Sequence, residues 1–129
     1  MHRLLRAVGP WLAPLLLMAL IFALSATPGD DGDHGLAYFL SRKIGHFLEY
    51  ALLLGLWWRA LRTRLTDRTA IGLAFAISLV YAMSDELHQL TVDGRMGTPV
   101  DVVIDTAGAA TAAALILRRR GRAPAMGTG

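Results

Sequence analysis

Four long apolar segments, each interrupted or bordered by ionisable side chains, constrain this chain more than any other feature. They cover residues 4–25, 44–58, 69–90 and 99–117, with charged connections between them. A bilayer core about 30 Å thick takes roughly 20 helical residues to cross. Four such helices and their connections use nearly all of the 129 residues, so the pattern predicts one all-α integral membrane unit. Apolar side chains alone would suffice for crossing. A charged group at the centre of a spanning helix costs about 2.5–3.5 kcal/mol on insertion scales, so its presence is first read as function.

The basic residues fix the orientation. Arg3 and Arg6 precede the first segment, Arg59, Arg62, Arg64 and Arg68 lie between the second and third, and Arg118, Arg119, Arg120 and Arg122 follow the fourth. The other two connections hold only Arg42, Lys43 and Arg95, beside Asp30, Asp31, Asp33 and Asp93. Ten basic residues on one side against three on the other predict four transmembrane helices with both termini cytoplasmic. The net charge of +3 lies at segment ends rather than on one amphipathic face, which argues for membrane topology and against nucleic-acid binding. The absence of cysteine excludes disulfides, thiolate metal sites and cysteine nucleophiles.

Arg3, Arg6, the first apolar run and the small residues Ala23, Ser25 and Ala26 also resemble a secretory signal peptide. The run is long for that role, and Pro10 and Pro14 fall early, where a spanning helix tolerates them, so the segment is read as retained. Ser41 is an expected N-cap for the second helix, and Thr66 or Asp67 for the third. Thr98-Pro99-Val100-Asp101 reads as an N-cap, a proline at the first helical position and an acidic third residue. Residues 121–129, rich in Gly, Ala and Pro, are expected to form a disordered cytoplasmic tail.

Helical spacing gathers the polar residues. Lys43, His46 and Tyr50 share a face of the second helix, with Glu49 at its edge. Ser78, Tyr81, Asp85 and His88 form a stripe on the third, flanked by Gln89, with Glu86 about a quarter turn away. Asp101, Asp105 and Gly108 share a face of the fourth, where a glycine lets a neighbouring backbone approach closely. At about 1.5 Å rise per residue, Glu49, Asp85 and Asp105 fall in one layer some 8–9 Å below the outer surface. Arg95 reaches that layer from the short outer connection. The expectation is a polar cleft open to the periplasmic or extracellular side.

Asp85, His88 and Asp105 are the candidate catalytic residues. Lys43, His46, Glu86, Gln89, Arg95 and Asp101 are the candidate binding residues. Structural roles compete: Asp101 as a helix cap, Lys43 snorkelling to the interface, and the whole set as a charge network holding helices together. The three-apart pairs His46–Glu49 and Asp85–His88 could offer ligands to a divalent metal, although such pairs are common. His46 or His88, oriented by Asp85, could serve as a general base toward a lipid headgroup.

The motifs Lys43-x-x-His46-x-x-x-Tyr50, Asp85-Glu86-x-His88-Gln89 followed by Arg95, and Asp101-x-x-x-Asp105-x-x-Gly108 resemble those of the VanZ-like family of small bacterial membrane proteins. The resemblance covers residues 41–108, and the first helix matches only in character. Two departures stand out: Arg42 occupies a position where the family often has aspartate, and Asp105 one where it commonly has asparagine. The resemblance implies a VanZ-like domain over residues 1–120 in the bacterial cytoplasmic membrane. It implies action on, or binding of, a cell-envelope component such as a lipid-linked cell-wall precursor, with lowered susceptibility to teicoplanin as one consequence. A membrane enzyme acting on lipid-linked substrates and a structural or accessory subunit stay open as alternatives. Membrane lipids are the expected partners. Four short helices leave little room for a gated transport path.

Overall fold

The computed structural model describes residues 1–26, 35–92 and 98–122. The described residues form four helices: α1 (His2–Ala26), α2 (Gly35–Leu61), α3 (Asp67–Gln89) and α4 (Pro99–Gly121). Three of them, α1, α3 and α4, are long and apolar enough to cross a membrane. In α2, Ser41, Arg42, Lys43, His46, Glu49 and Arg59 interrupt a mostly apolar sequence. Arg95 lies outside the described residues, as does the expected tail apart from Gly121 and Arg122, which finish α4 and its cap.

α2 starts at Gly35, nine residues before the predicted boundary, and Gly35 enters it with a φ of 79°, a conformation only glycine adopts without cost. Ser41 is therefore not an N-cap. It sits inside the helix, and its hydroxyl donates back to the Tyr38 carbonyl at 2.7 Å. Sequence alone favoured the cap because Ser41, Arg42 and Lys43 read as a polar break. At 27 residues α2 is about 40 Å long, more than the thickness of a bilayer core. The start of α4 is at the predicted position, with Thr98 extended at the N-cap and Pro99 in the first turn, but the Thr98 hydroxyl makes no capping hydrogen bond. Thr66 precedes α3 with extended backbone, but its hydroxyl bonds the Thr69 hydroxyl at 3.0 Å instead of a backbone N–H.

α2 is the central helix and packs on α4, α3 and α1. The α2–α4 approach depends on Gly108. A Cβ there would stand 2.9 Å from the carbonyl carbon of Phe47 and closer still to its oxygen. This is the close backbone approach predicted for Gly108. One apolar cluster joins Leu54, Leu61, Ala70, Ala74 and Ala109, and a second joins Ile21, Tyr50, Leu53 and Ala82. Small residues on α3 and α4 let the larger side chains of α2 fill the interior.

Burial is inverted relative to a water-soluble bundle. Leu16, Phe22, Leu48, Val80, Leu87 and Val103 are exposed, while Ser78, Asp85, Gln89, Asp101 and Asp105 are buried. In water such an apolar exterior would drive aggregation, whereas in lipid it is solvated. At the arginine-rich end, Trp58 lies under the guanidiniums of Arg62 at 4.7 Å and Arg120 at 5.3 Å. Asp67 accepts a hydrogen bond from Arg120 and lies 3.9 Å from Arg62 Nε. This knot joins the end of α2, the start of α3 and the end of α4.

Candidate functional site

The polar residues of α2 and α4 meet as cross-helix pairs at the opposite end of the bundle. Lys43 Nζ pairs with Asp101, and His46 Nδ1 lies 3.0 Å from Asp105 Oδ1. Residues 43 and 46 of α2 and residues 101 and 105 of α4 are each about one helical turn apart. The two helices therefore run side by side at this level, in the register that Gly108 permits. Asp101 and Asp105 are 8% and 2% exposed, so each carboxylate meets its partner largely out of solvent. Asp101 thus has a partner beyond any role in its own first turn. With an ionised Asp105 and a neutral imidazole, Nδ1–H of His46 donates, which fixes the tautomer and leaves Nε2 as the accepting nitrogen.

On α3, Gln89 Nε2 donates to Asp85 Oδ2 at 3.2 Å and to Ser25 Oγ of α1 at 3.4 Å. Asp85 Oδ1 is buried with no hydrogen-bond partner. His88 stacks on Phe22 of α1, with ring centroids 4.3 Å apart and planes 17° apart. Its Nδ1 is also buried without a partner. The expected pairing of Asp85 with His88 as base and orienter is not made, because Asp85 turns to Gln89 while His88 turns to α1. The expected stripe of Ser78, Tyr81, Asp85 and His88 is rotated slightly, so the buried line runs Ser78, Ala82, Asp85 and Gln89. Tyr81, at its edge, donates to the Met18 carbonyl of α1 at 2.5 Å. Tyr50 is fully buried against Tyr81, at 6.4 Å between rings.

Two cavities open beside these pairs. One, of about 230 Å³, lies between α2 and α4 and is lined by Phe39, Arg42, Lys43, His46, Thr98 and Asp101. The other, of about 160 Å³, lies between α1 and α2, with Ser25, Arg42, His46 and Glu49 as its polar lining. Both are smaller than the roughly 300 Å³ of a typical pocket for a drug-sized ligand, so each has room only for a small group. Arg42 and His46 line both. Glu86 lines neither. It borders an apolar groove between α3 and α4 with Met83, Leu87, Leu90, Pro99 and Val102, and its carboxylate lies at the Val102 backbone N–H. Among the described residues, no cluster of three or more His, Asp and Glu side chains is arranged to hold a metal ion.

The structure therefore joins Lys43 to Asp101 and His46 to Asp105, joins Gln89 to Asp85 and Ser25, and leaves His88 and Glu86 outside the lining of both cavities. The family model for VanZ/LLP1 matches residues 10–120. The chain belongs to the VanZ/LLP1 family. Neither the curated proteins nor the solved structures gave a match. In this VanZ/LLP1 chain, Arg42 borders the α1–α2 and the α2–α4 cavity alike. The Asp105 departure supplies the carboxylate that holds His46. Arg42 and Glu49 were outside the candidate binding set. Their spacing of seven, two turns of α2, was the signal that could have placed them on one wall.

Proposed function

We propose that this protein is a four-span integral membrane protein of the bacterial cytoplasmic membrane, with both termini cytoplasmic. Its outward-facing polar cleft binds the anionic headgroup of a cell-envelope lipid. The carrying observation is the pair of headgroup-sized cavities sharing Arg42 and His46 at the arginine-poor end. The opposite end holds the Arg62, Trp58, Arg120 and Asp67 knot, which matches the positive-inside pattern. Lys43 is held by Asp101 but still borders the α2–α4 cavity, where its ammonium can share a phosphate oxygen. Arg95, in the outer connection, is a second phosphate ligand in this reading. Occupying the headgroup of a lipid-linked cell-wall precursor would bear on teicoplanin, and lowered teicoplanin susceptibility is the expected consequence in a susceptible host.

Binding of an anionic envelope lipid by the purified protein tests the reading. Lys43→Ala and Arg95→Ala are each expected to weaken it, and unchanged binding in both would refute the headgroup assignment.

The hydrogen bond between His46 and Asp105 favours a second reading, a membrane enzyme acting on a lipid-linked substrate. A carboxylate on Nδ1 orients the ring, and Nε2 can then take a proton from a reacting group in the cleft. Turnover of an envelope lipid, abolished by His46→Ala while lipid binding persists, would separate this reading from binding alone.

A further inference from the structure

The four carboxylates of the polar layer differ in how they are satisfied. Asp101 has Lys43, Asp105 has His46, and Asp85 has Gln89. Glu49, half-buried in the same layer, makes no hydrogen bond or ion pair with any described residue. It faces the α1–α2 cavity, whose wall also carries Arg42. Arg42 also has no ion-pair partner among the described residues. These two side chains, opposite in charge, line one cavity without meeting each other. They stand two turns apart on α2, about 10 Å along the axis, a gap that a small dipolar group with a hydrogen bond at each end can bridge.

A purely anionic ligand would use Arg42 and be repelled by Glu49. A half-buried carboxylate without a partner is costly, and a ligand cation is the natural compensation. Ser25 Oγ and His46 add polar atoms to the same wall, while Ile21 and Leu24 close its α1 side. The α2–α4 cavity differs, because its one carboxylate, Asp101, is already paired with Lys43.

We propose that the cleft takes a headgroup with a primary ammonium next to its phosphate, of the phosphoethanolamine type. Glu49 holds the ammonium and Arg42 holds the phosphate. This assignment rests on the headgroup reading and refines it: the phosphate remains the anionic group that is bound, and an ammonium beside it makes the headgroup a zwitterion. The N–H groups of the ammonium distinguish it from the trimethylammonium of choline, which has none to donate to Glu49.

The test titrates the purified full-length protein in detergent with dioleoyl phosphatidylethanolamine, phosphatidylcholine and phosphatidylglycerol, with bound lipid counted by native mass spectrometry. Wild type is expected to prefer phosphatidylethanolamine to both others. Glu49→Gln is expected to lose about tenfold in affinity for it, the scale of one charge-assisted hydrogen bond. The same variant should keep or raise its affinity for phosphatidylglycerol, since a repelling charge is gone, and that binding also reports that it has folded. Equal wild-type affinity for phosphatidylethanolamine and phosphatidylglycerol would overturn the ammonium assignment while leaving the headgroup reading intact. So would a Glu49→Gln variant that binds phosphatidylethanolamine as wild type does. Failure to retain any of the three lipids would overturn both readings. Competition by soluble O-phosphoethanolamine separates the two sources of this chemistry: displacement at concentrations below that of the lipid would assign the site to a soluble ligand, and displacement only in large excess, or none, to the lipid.

Discussion

Gly108→Ala puts the α2–α4 interface under the most direct stress. In a helix interior, replacing glycine by alanine normally gains about 1 kcal/mol of propensity. Here the added methyl would lie 2.9 Å from the Phe47 carbonyl carbon and closer to its oxygen, and both atoms belong to backbone. No flexible side chain can swing away, so α2 and α4 must separate. Overpacking of this kind costs about 1–3 kcal/mol, enough to cancel the propensity gain and reverse its sign. The cross-helix pairs Lys43–Asp101 and His46–Asp105 span the same interface and would lengthen with it. Gly55→Ala and Gly72→Ala are internal controls, because a Cβ at either position meets nothing within 4 Å. Thermal unfolding of the detergent-solubilised variants should place Gly108→Ala below wild type and both controls at or above it. A Gly108→Ala variant as stable as Gly72→Ala would refute the argument that the glycine sets the helix approach.

Two further perturbations probe the polar layer by stability. Lys43→Ala leaves Asp101 buried without its cation, and Lys43 itself is partly exposed, so the loss should fall between roughly 1 kcal/mol, typical of exposed pairs, and about 3 kcal/mol, where buried pairs begin. A double-mutant cycle with Asp101→Ala should return most of that loss as coupling, and additive effects would mean that the two side chains act independently. Tyr81→Phe removes the hydroxyl that binds the Met18 carbonyl and should cost about 1 kcal/mol. Ser78→Ala, whose hydroxyl only bonds back to the Ala74 carbonyl in its own helix, should cost much less. Equal losses in the unfolding assay would contradict a role for Tyr81 in docking α1.

Much of this arrangement was legible in the sequence because it depends on local rules. Pro99 after Thr98 marks the start of α4, and the shared face of Asp101, Asp105 and Gly108 follows from helical spacing. All three are buried on that face. The polar layer was also legible as a layer. Its partners were not, because they depend on how each helix is rotated against its neighbours. Asp85 and His88 are three apart and suggested a dyad, yet packing sends one to Gln89 and the other to Phe22. The partner of His46 lies 59 residues away, and no local pattern points to it. The early start of α2 is hidden for a related reason. Residues 35–43 end in Ser-Arg-Lys, which reads as a break, whereas the structure continues α2 through them.

On the proposed topology, the cleft faces the outside of the cytoplasmic membrane. The chain has no cysteine, so a single introduced thiol reports its own position. Phe39→Cys places one at the exposed rim of the α2–α4 cavity, and Thr63→Cys places one at the arginine-rich end. A membrane-impermeant maleimide applied to intact cells should label Phe39→Cys and reach Thr63→Cys only after permeabilisation. Labelling of Thr63→Cys in intact cells, with Phe39→Cys protected, would contradict the account, because the polar layer would then open to the cytoplasm.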